Sequence, residues 1–376
     1  MEKLTDICDI QYGYAFDSAC FTEDSSYPPL VRIRDVKRGF SETYYSGEYP
    51  EEYVLHAGDL LVGMDGEFNI ARWKSIDALL NQRVCKLTAK EGTNEEYLRF
   101  AMVKVLKAIE DKTAFVTVKH LSAKELNKLE LDIPCIEEQN LRADSLSKLE
   151  KIISLREEEL RLLDNLIKAR FVEMFGDAVD NPMEWEKKQL QEIVTDDCAI
   201  SYGIVQTGND QEEGVPVFRP VDIVNRIPKL EELKRTTEEI SNKYKRTILK
   251  GHEMLITVRA NIADTCIVGK EFKGCNVGRG IVPIRTQENI MVLEFLKYLM
   301  DSKHLNDDIK SKAKGITLIQ LNMEDLREVE LIIPPIEQQK VFVKFAEQVN
   351  KSKVAVQKAL DETQLLFDSL MQEYFG

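Results

Sequence analysis

The chain contains an internal duplication with a constant offset of 200 residues. The segment VTVKHLSAKELNKLELDIPCIEEQ (116–139) aligns without gaps on ITLIQLNMEDLREVELIIPPIEQQ (316–339), and ten of the 24 positions are identical. The same offset relates EMFG (173–176) to EYFG (373–376) at the end of the chain. Because a long-period repeat marks a repeated structural unit, the sequence predicts two related units in tandem.

Upstream of these segments the two copies match only in patches. LTDI (4–7) corresponds to LQEI (190–193), and LVRIRDV (30–36) corresponds to VFRPVDI (217–223). A third patch pairs GDLLV (58–62) with GHEMLI (251–256) after one insertion. Copies that agree in their C-terminal parts but differ in their N-terminal parts indicate a shared supporting element that carries two dissimilar domains. We call these domains, at 1–136 and 186–336, the front domains.

The shared supporting element is predicted to be a long helix in each copy. After Glu137, proline and glycine are absent until Gly176, and apolar residues alternate in steps of four and three, which is a heptad seam. The first seam is Arg142, Leu146, Leu149, Ile153, Arg156, Leu160, Leu163, Ile167, Arg170 and Met174. At the offset of 200 the second seam is Phe342, Ala346, Val349, Lys353, Val356, Leu360, Thr363, Phe367, Leu370 and Tyr374. Two helices of about 40 residues, each roughly 60 Å long, can therefore pair in an antiparallel coiled coil, with the basic seam positions limiting the register.

The front domains mix short alternating runs with turns, so each is predicted to be an α+β domain with helices near 95–112 and 292–310. The predicted fold class is therefore α+β, with two pseudo-repeat domains joined by two long helices that form an antiparallel coiled coil. The expected segments are a first domain at 1–136, a central helix at 137–176, a linker at 177–185, a second domain at 186–336 and a C-terminal helix at 337–376.

Composition limits where the chain works and what it binds. The N-terminus has no apolar signal segment, no stretch of about 18 apolar residues exists to cross a bilayer, and the seven cysteines are scattered. We therefore expect reduced thiols and a cytoplasmic protein. The formal net charge of −14 disfavours nucleic acid unless basic residues gather on one face, since no predicted segment is basic overall.

The duplicated IPxIExQ entry to each helix, with ARF (169–171) and MFGD (174–177) at the end of the first, resembles the specificity subunits of type I restriction-modification systems. Asn181-Pro182 through Trp185, and GDLL (58–61) followed by DGEFNIARW (65–73), add to this resemblance, which covers nearly the whole chain. It implies two target-recognition domains that each read one half of a split site in double-stranded DNA, with the helices fixing the unread spacer. It also implies that two methyltransferase (modification) subunits bind, and that restriction (translocase and nuclease) subunits can join them.

Two other classes of protein stay open at this point. One is an interaction scaffold or regulatory relative that has lost DNA binding, and the other is the recognition subunit of a related bipartite restriction system. A non-catalytic chain without cofactor or metal is expected, because NPMEW (181–185) lacks the second proline of an adenine methyltransferase motif and no phosphate-binding glycine loop occurs. A nuclease could use Asp264 with EFK (271–273), but such triplets arise by chance in a charged chain.

Basic residues beside turns and strand ends are the candidate DNA contacts, since a guanidinium there could reach guanine or phosphate. In the first domain they are Arg32, Arg34, Lys37, Arg38, Arg72, Arg83 and Lys119. In the second domain they are Arg219, Arg259, Asn261, Arg279, Lys310, Lys312, Lys314 and Thr317. For each, the alternative is a solvated charge or an ion-pair partner. Arg279 stands between two glycines, so its loop either approaches DNA closely or is a tight turn with positive φ; the aligned segment 81–83 favours the first.

Overall fold

The computed structural model describes residues 1–112, 120–223, 228–315 and 319–376. The chain divides into two compact units, Met1–Glu158 with Gln357–Gly376, and Glu159–Val356. Each unit therefore contains one front domain and part of both long helices. Within the described residues, no helix is long and apolar enough to span a membrane.

Unit 1 is built on a four-stranded antiparallel sheet of Cys8–Tyr12, Val84–Ala89, Leu60–Gly63 and Asn69–Arg72, in that order. A smaller sheet pairs Leu30–Val31 in parallel with Ala78–Leu80, whose other neighbour is Val54–Leu55. The other strands are Glu2–Lys3, Phe21–Thr22, Tyr44–Tyr45 and Glu130–Leu131. The helices are Leu4–Ile7, Ile33–Arg38, Glu95–Lys112 and Ala123–Leu126, with 3₁₀ turns at Ser18–Cys20 and Glu51–Tyr53.

Unit 2 has a similar plan, with three strands rather than four in the described part of its central sheet. Its central sheet orders Thr265–Val268, Glu253–Thr257 and Ile281–Ile284, and Val215–Phe218 pairs in parallel with Asn276–Val277 and antiparallel with Arg235–Thr236. The remaining strands are Lys187–Gln189 and Glu330–Ile332. The helices are Leu190–Ile193, Glu238–Lys243, Leu293–Met300, Lys303–Ser311 and Met323–Arg327, with 3₁₀ turns at Pro220–Asp222, Leu230–Glu232, Lys245–Thr247 and Lys270–Phe272.

One predicted helix is interrupted. The helix expected near 292–310 is two helices that meet at Asp301 and Ser302. Ser302 has extended φ and ψ angles, and its hydroxyl donates to the Leu299 carbonyl at 2.6 Å. Serine competes in this way for main-chain hydrogen bonds and ends helices, which the apolar periodicity alone does not reveal.

In each unit the first strand of the front domain pairs with the last. Glu2–Lys3 is antiparallel to Glu130–Leu131, and Lys187–Gln189 is antiparallel to Glu330–Ile332. The chain therefore enters and leaves each front domain at the same place, next to the start of a long helix.

The two long helices are Ile136–Phe175, the central helix, and Ile336–Phe375, the C-terminal helix. Every predicted seam position is buried or half-buried, which confirms the heptad register. In unit 1 the Arg142 guanidinium donates to the Tyr374 carbonyl at 3.0 Å, and Arg156 donates to the carbonyl of Ala359 and the hydroxyl of Thr363. Since residue numbers rise along one helix as they fall along the other, the pairing is antiparallel, as predicted.

Unit 2 has the same antiparallel pairing. Lys353 forms an ion pair with Asp164, and the rings of Phe171 and Phe342 are 5.4 Å apart at their centroids. Phe175 and Phe295 join the same buried aromatic group. The basic seam positions Arg142, Arg156 and Lys353 thus make polar contacts across the helix pair, which fit one register and oppose others.

A buried glutamine ties each long helix to its front domain. The Gln139 side chain accepts from the Asn94 N–H at 2.9 Å and donates to the carbonyls of Gly92 and Pro134. The Gln339 side chain accepts from the Val292 N–H at 2.9 Å and donates to the carbonyls of Ile290 and Pro334. Gln139 and Gln339 occupy equivalent positions of the sequence repeat, and each makes the same three kinds of main-chain hydrogen bond in its own unit.

Candidate nucleic-acid interface

A tight turn occupies the same place in both units. In unit 1 the Val84 N–H donates to the Asn81 carbonyl at 3.2 Å, so residues 82 and 83 form the tip of the turn. In unit 2 the Ile281 N–H donates to the Gly278 carbonyl at 3.1 Å, so residues 279 and 280 form the tip. Each turn links the strand of the parallel pair to a strand of the central sheet. We call them the unit 1 turn (81–84) and the unit 2 turn (278–281).

Main-chain hydrogen bonds fix how the two turns correspond. The Met64 N–H donates to the Arg83 carbonyl at 2.9 Å, and the Val258 N–H donates to the Gly280 carbonyl at 2.8 Å. Arg83 is therefore the counterpart of Gly280, and Gln82 is the counterpart of Arg279. The sequence analysis aligned the segment around Arg279 with residues 81–83, and these hydrogen bonds agree with that alignment in pairing Arg279 with Gln82.

Arg279 itself is exposed, and neither flanking glycine has positive φ. A Cβ on Gly280 would lie 2.4 Å from the Pro220 Cγ, and one on Gly278 would lie 3.2 Å from the Phe218 carbonyl oxygen. The glycines are thus required by close packing against Phe218 and Pro220, and the alternative of a turn that needs positive φ at these glycines does not hold. In unit 1 it is Arg83, with φ of 71°, that adopts the left-handed conformation.

Other predicted residues of unit 2 gather around the unit 2 turn. Arg259 and Lys314 each form a β-bridge with Gln320, and an Arg259 amino group donates to the Gln320 side chain. The Arg259 Nε is buried without an acceptor among the described residues. A Cβ on Gly280 would lie 3.4 Å from the Arg259 Cβ, so this basic group adjoins the turn.

Arg219 follows the strand next to the unit 2 turn, and Arg32 holds the equivalent place in unit 1. Their main-chain N–H groups donate to the carboxylates of Asp222 and Asp35, at 2.7 and 2.9 Å. The Arg219 guanidinium also makes two hydrogen bonds to Asp222, which raise the pKa of Arg219. Arg32 is exposed and lines an open groove of about 720 Å³ together with Arg34.

In unit 1 the residues beside the turn form a small polar group. His120 contacts the Asp65 carboxylate, and an Arg83 amino nitrogen lies 2.9 Å from the His120 Nδ1 and 3.5 Å from the Asp65 Oδ1. Asp65 and His120 form a β-bridge at the position that Arg259 and Gln320 occupy in unit 2. The two units therefore present different side chains on the same main-chain frame.

Arg72 is engaged elsewhere. Its guanidinium pairs with Glu95 and Glu96 and donates to the Gly58 carbonyl at 2.6 Å. Burial opposes the charge, but these two carboxylates raise the pKa of Arg72. Arg72 therefore links the central sheet to the helix Glu95–Lys112, and its guanidinium is already engaged and is not one of the proposed DNA contacts.

The remaining predicted residues are exposed or weakly paired. Except for Asp35, which is buried, the partners in these pairs are exposed or half-buried, and such surface salt bridges contribute little to stability, so these basic residues can exchange partners. The pairs are Arg34 with Asp35 at 3.7 Å, Lys37 with Glu67 at 4.0 Å, Arg38 with Glu42 at 3.7 Å, Lys312 with Asp308 at 2.8 Å and Lys314 with Asp325 at 3.5 Å. Lys310 and Asn261 are exposed. Lys119 and Thr317 lie outside the described residues.

Sequence reasoning missed a pair of glycines that build this site. A Cβ on Gly13 would lie 2.0 Å from the Asn81 carbonyl oxygen, and one on Gly203 would lie 2.0 Å from the Val277 carbonyl oxygen. Both glycines follow a tyrosine, in the segments QYGY (11–14) and SYGI (201–204). This signal was present as a repeated Tyr-Gly, but insertions move it away from the offset of 200.

Comparisons with known proteins agree with this duplicated organisation. A family model described as the type I restriction modification DNA specificity domain matches residues 1–164 and again residues 182–363. The type I restriction enzyme EcoBI specificity subunit of Escherichia coli is 30% identical over 394 residues, which cover 98% of this chain and 83% of that protein.

Solved structures share the fold. The S subunit of a type I restriction-modification system from M. genitalium aligns with a TM-score of 0.61 at 14% identity, over 100% of this chain and 95% of that one. A chain from a study of complex assembly and conformational transition of the type I R-M system aligns with a TM-score of 0.58 at 19% identity, over 99% and 96%. At these identities the likeness establishes the fold.

Proposed function

The chain belongs to the type I restriction modification DNA specificity family, and from this premise we propose that it is the DNA-recognition subunit of a type I restriction-modification complex. Each front domain reads one half of a bipartite site in double-stranded DNA. The observation that carries the proposal is the repetition of one DNA specificity domain in both halves of the chain, each with an exposed side chain at the tip of an equivalent turn.

Local charge makes DNA binding compatible with an acidic chain. Beside the unit 2 turn stand Arg219, Arg259, Arg279 and Lys314, and phosphate contacts need such local positive charge rather than a basic protein overall. In unit 1, Arg32 and Arg34 line one groove, and Arg83 lies at the turn beside His120. Phosphate contacts of this kind would position the duplex, while fewer side chains read bases.

The long helices give the proposal its spacing element. A helix of 40 residues is about 60 Å long, and half-sites one turn apart are separated by about 34 Å. We propose that the helix pair sets the length of the unread DNA between the half-sites. The polar seam contacts of Arg142, Arg156 and Lys353 would keep that length constant by holding one register.

We assign catalysis to partner subunits. The chain lacks the adenine-gripping and phosphate-binding motifs considered above, so two modification subunits would supply methyl transfer, and restriction subunits could add cleavage. The chain itself would then need no cofactor, and it would work in the cytoplasm, where its DNA is.

Methylation sequencing tests this proposal. The chain is expressed with its modification subunits in a host that lacks other adenine methyltransferases, and the genomic DNA is sequenced for methylated adenine. We expect one split motif with an unread spacer, which disappears when this chain is omitted. Modification without a split motif, or complex formation without any DNA recognition, would identify an interaction scaffold instead.

Salt dependence tests the basic residues. In a binding assay with the assembled complex, replacing Lys310, Lys312 and Lys314 by alanine should weaken binding to all sequences alike. It should also reduce the slope of log K against log salt by about 0.9 for each phosphate that the variant no longer neutralises. Lys351→Ala, an exposed change on the C-terminal helix, serves as the matched control.

A further inference from the structure

We infer that Gln82 and Arg279 are the paired base-reading residues of the two domains, with Gln82 reading adenine in one half-site and Arg279 reading guanine in the other. This inference rests on the proposed function and names the residues through which it would work. It is carried by the equivalence of the two turns and by the state of the two side chains.

The first observation is position. Gln82 and Arg279 are both the first residue at the tip of a turn that is anchored on both sides by the sheet framework. The Tyr14–Asn81 and Ile204–Gly278 bridges hold the residue before each tip, and hydrogen bonds from the Met64 and Val258 N–H groups hold the second tip residue, Arg83 or Gly280. A side chain on such a rigid support projects from a fixed point, which sequence reading requires.

The second observation is availability. Arg279 is exposed, and in the described part of the chain its side chain has no hydrogen bond or ion pair. The Gln82 side chain is likewise exposed and without a side-chain partner among those residues. The neighbouring Arg219 is committed to Asp222, and Arg259 is committed to Gln320. A base contact by Gln82 or Arg279 therefore breaks no existing interaction, whereas one by either neighbour does.

The third observation is the chemistry of the two side chains. The guanidinium of arginine matches the O6 and N7 acceptors of guanine, and the amide of glutamine matches the N6 donor and N7 acceptor of adenine. Two domains that share the same main-chain turn but carry different residues at its first tip position would contact different bases with the same orientation on the DNA. Exposed basic residues beside each turn would then contact phosphates.

Exchange of the two residues tests the inference in the assembled methyltransferase complex. Methylation rates are measured on DNA duplexes that carry the wild-type split site, and on a set with each base replaced in turn. With Arg279→Gln we expect the rate on the wild-type site to fall about 5- to 150-fold, and to recover when one guanine of a single half-site becomes adenine. Gln82→Arg should show the reverse change in the other half-site.

The controls separate this inference from the proposed function. Arg246→Gln, an exposed arginine of the same unit on the turn Lys245–Thr247, should leave the preferred site unchanged. The unmutated half-site reports folding and assembly of each variant, because its own base preferences must persist. If the wild-type complex has no split site, the proposed function fails. If it has one, but Arg279→Gln keeps the same preference or is rescued by no base change, the inference alone is overturned.

Discussion

Replacing Gln339 by methionine removes three hydrogen bonds of a fully buried side chain while nearly preserving its shape. Gln339 is 0% exposed, and its partners are the Val292 N–H and the carbonyls of Ile290 and Pro334, at 2.9, 3.0 and 2.8 Å. Each buried group left without a partner costs about 1–3 kcal/mol, and two of these three hydrogen bonds are part-buried. We therefore expect Gln339→Met to lower the free energy of unfolding of unit 2 by about 3 kcal/mol.

Urea unfolding measures this change. With an m-value of about 2–3 kcal/mol/M, a loss of 3 kcal/mol moves the unfolding midpoint down by about 1–1.5 M. Hydrogen exchange followed by mass spectrometry resolves the units, and protection should fall in Leu293–Met300 of unit 2. Gln338→Met, one residue earlier and exposed, is the matched control and should change the midpoint by less than about 0.3 M. Equal midpoints for the two variants would refute the anchoring role of Gln339.

Three further predictions concern single residues. Gly203→Ala should destabilise unit 2 by more than Ser201→Ala, because its Cβ would lie 2.0 Å from a main-chain carbonyl oxygen, and thermal unfolding compares the two. Burial opposes ionisation of Glu96, but its two arginine partners hold its pKa below the ordinary value. The ion pairs therefore stabilise unit 1 above about pH 4.3, and this stabilisation is lost as the pH falls. Glu96→Gln should flatten this acid dependence in unfolding measured as a function of pH, and an unchanged profile would contradict the assignment. Exposed Cys135 should react with N-ethylmaleimide well before Cys8, whose pKa burial raises to about 12, as peptide mapping of the native protein would determine.

The long helices were predictable because their signal is local and periodic. A heptad seam specifies both the helix and the face that it buries, and all twenty predicted seam positions are at least half-buried. Because the repeat is gapless, the position of the second helix could be predicted from that of the first. The antiparallel direction followed from two such stripes in one chain, and the contacts of Arg142 with Tyr374 and of Lys353 with Asp164 agree with it.

The site was less predictable because it depends on pairing between distant strands. The sequence aligned Arg279 with segment 81–83, but the position of Gln82 and Arg279 at the tips of equivalent turns depends on the hydrogen bonds from Met64 and Val258, which no spacing in the sequence encodes. The engagement of Arg72 by Glu95 and Glu96 is equally non-local, since the partners are more than twenty residues away. Sequence reasoning could name basic residues near turns, but it could not tell which of them already had partners.

The pairing of first and last strands has a consequence for how such a chain can change. Because Glu2–Lys3 pairs with Glu130–Leu131, the two ends of the segment between them lie side by side, and the segment resembles an exchangeable cassette. A different cassette with the same closing strands could be grafted there without altering the helix that begins at Ile136. Lys187–Gln189 and Glu330–Ile332 offer a second, independent grafting point, so the two halves of a recognised sequence could be exchanged one at a time.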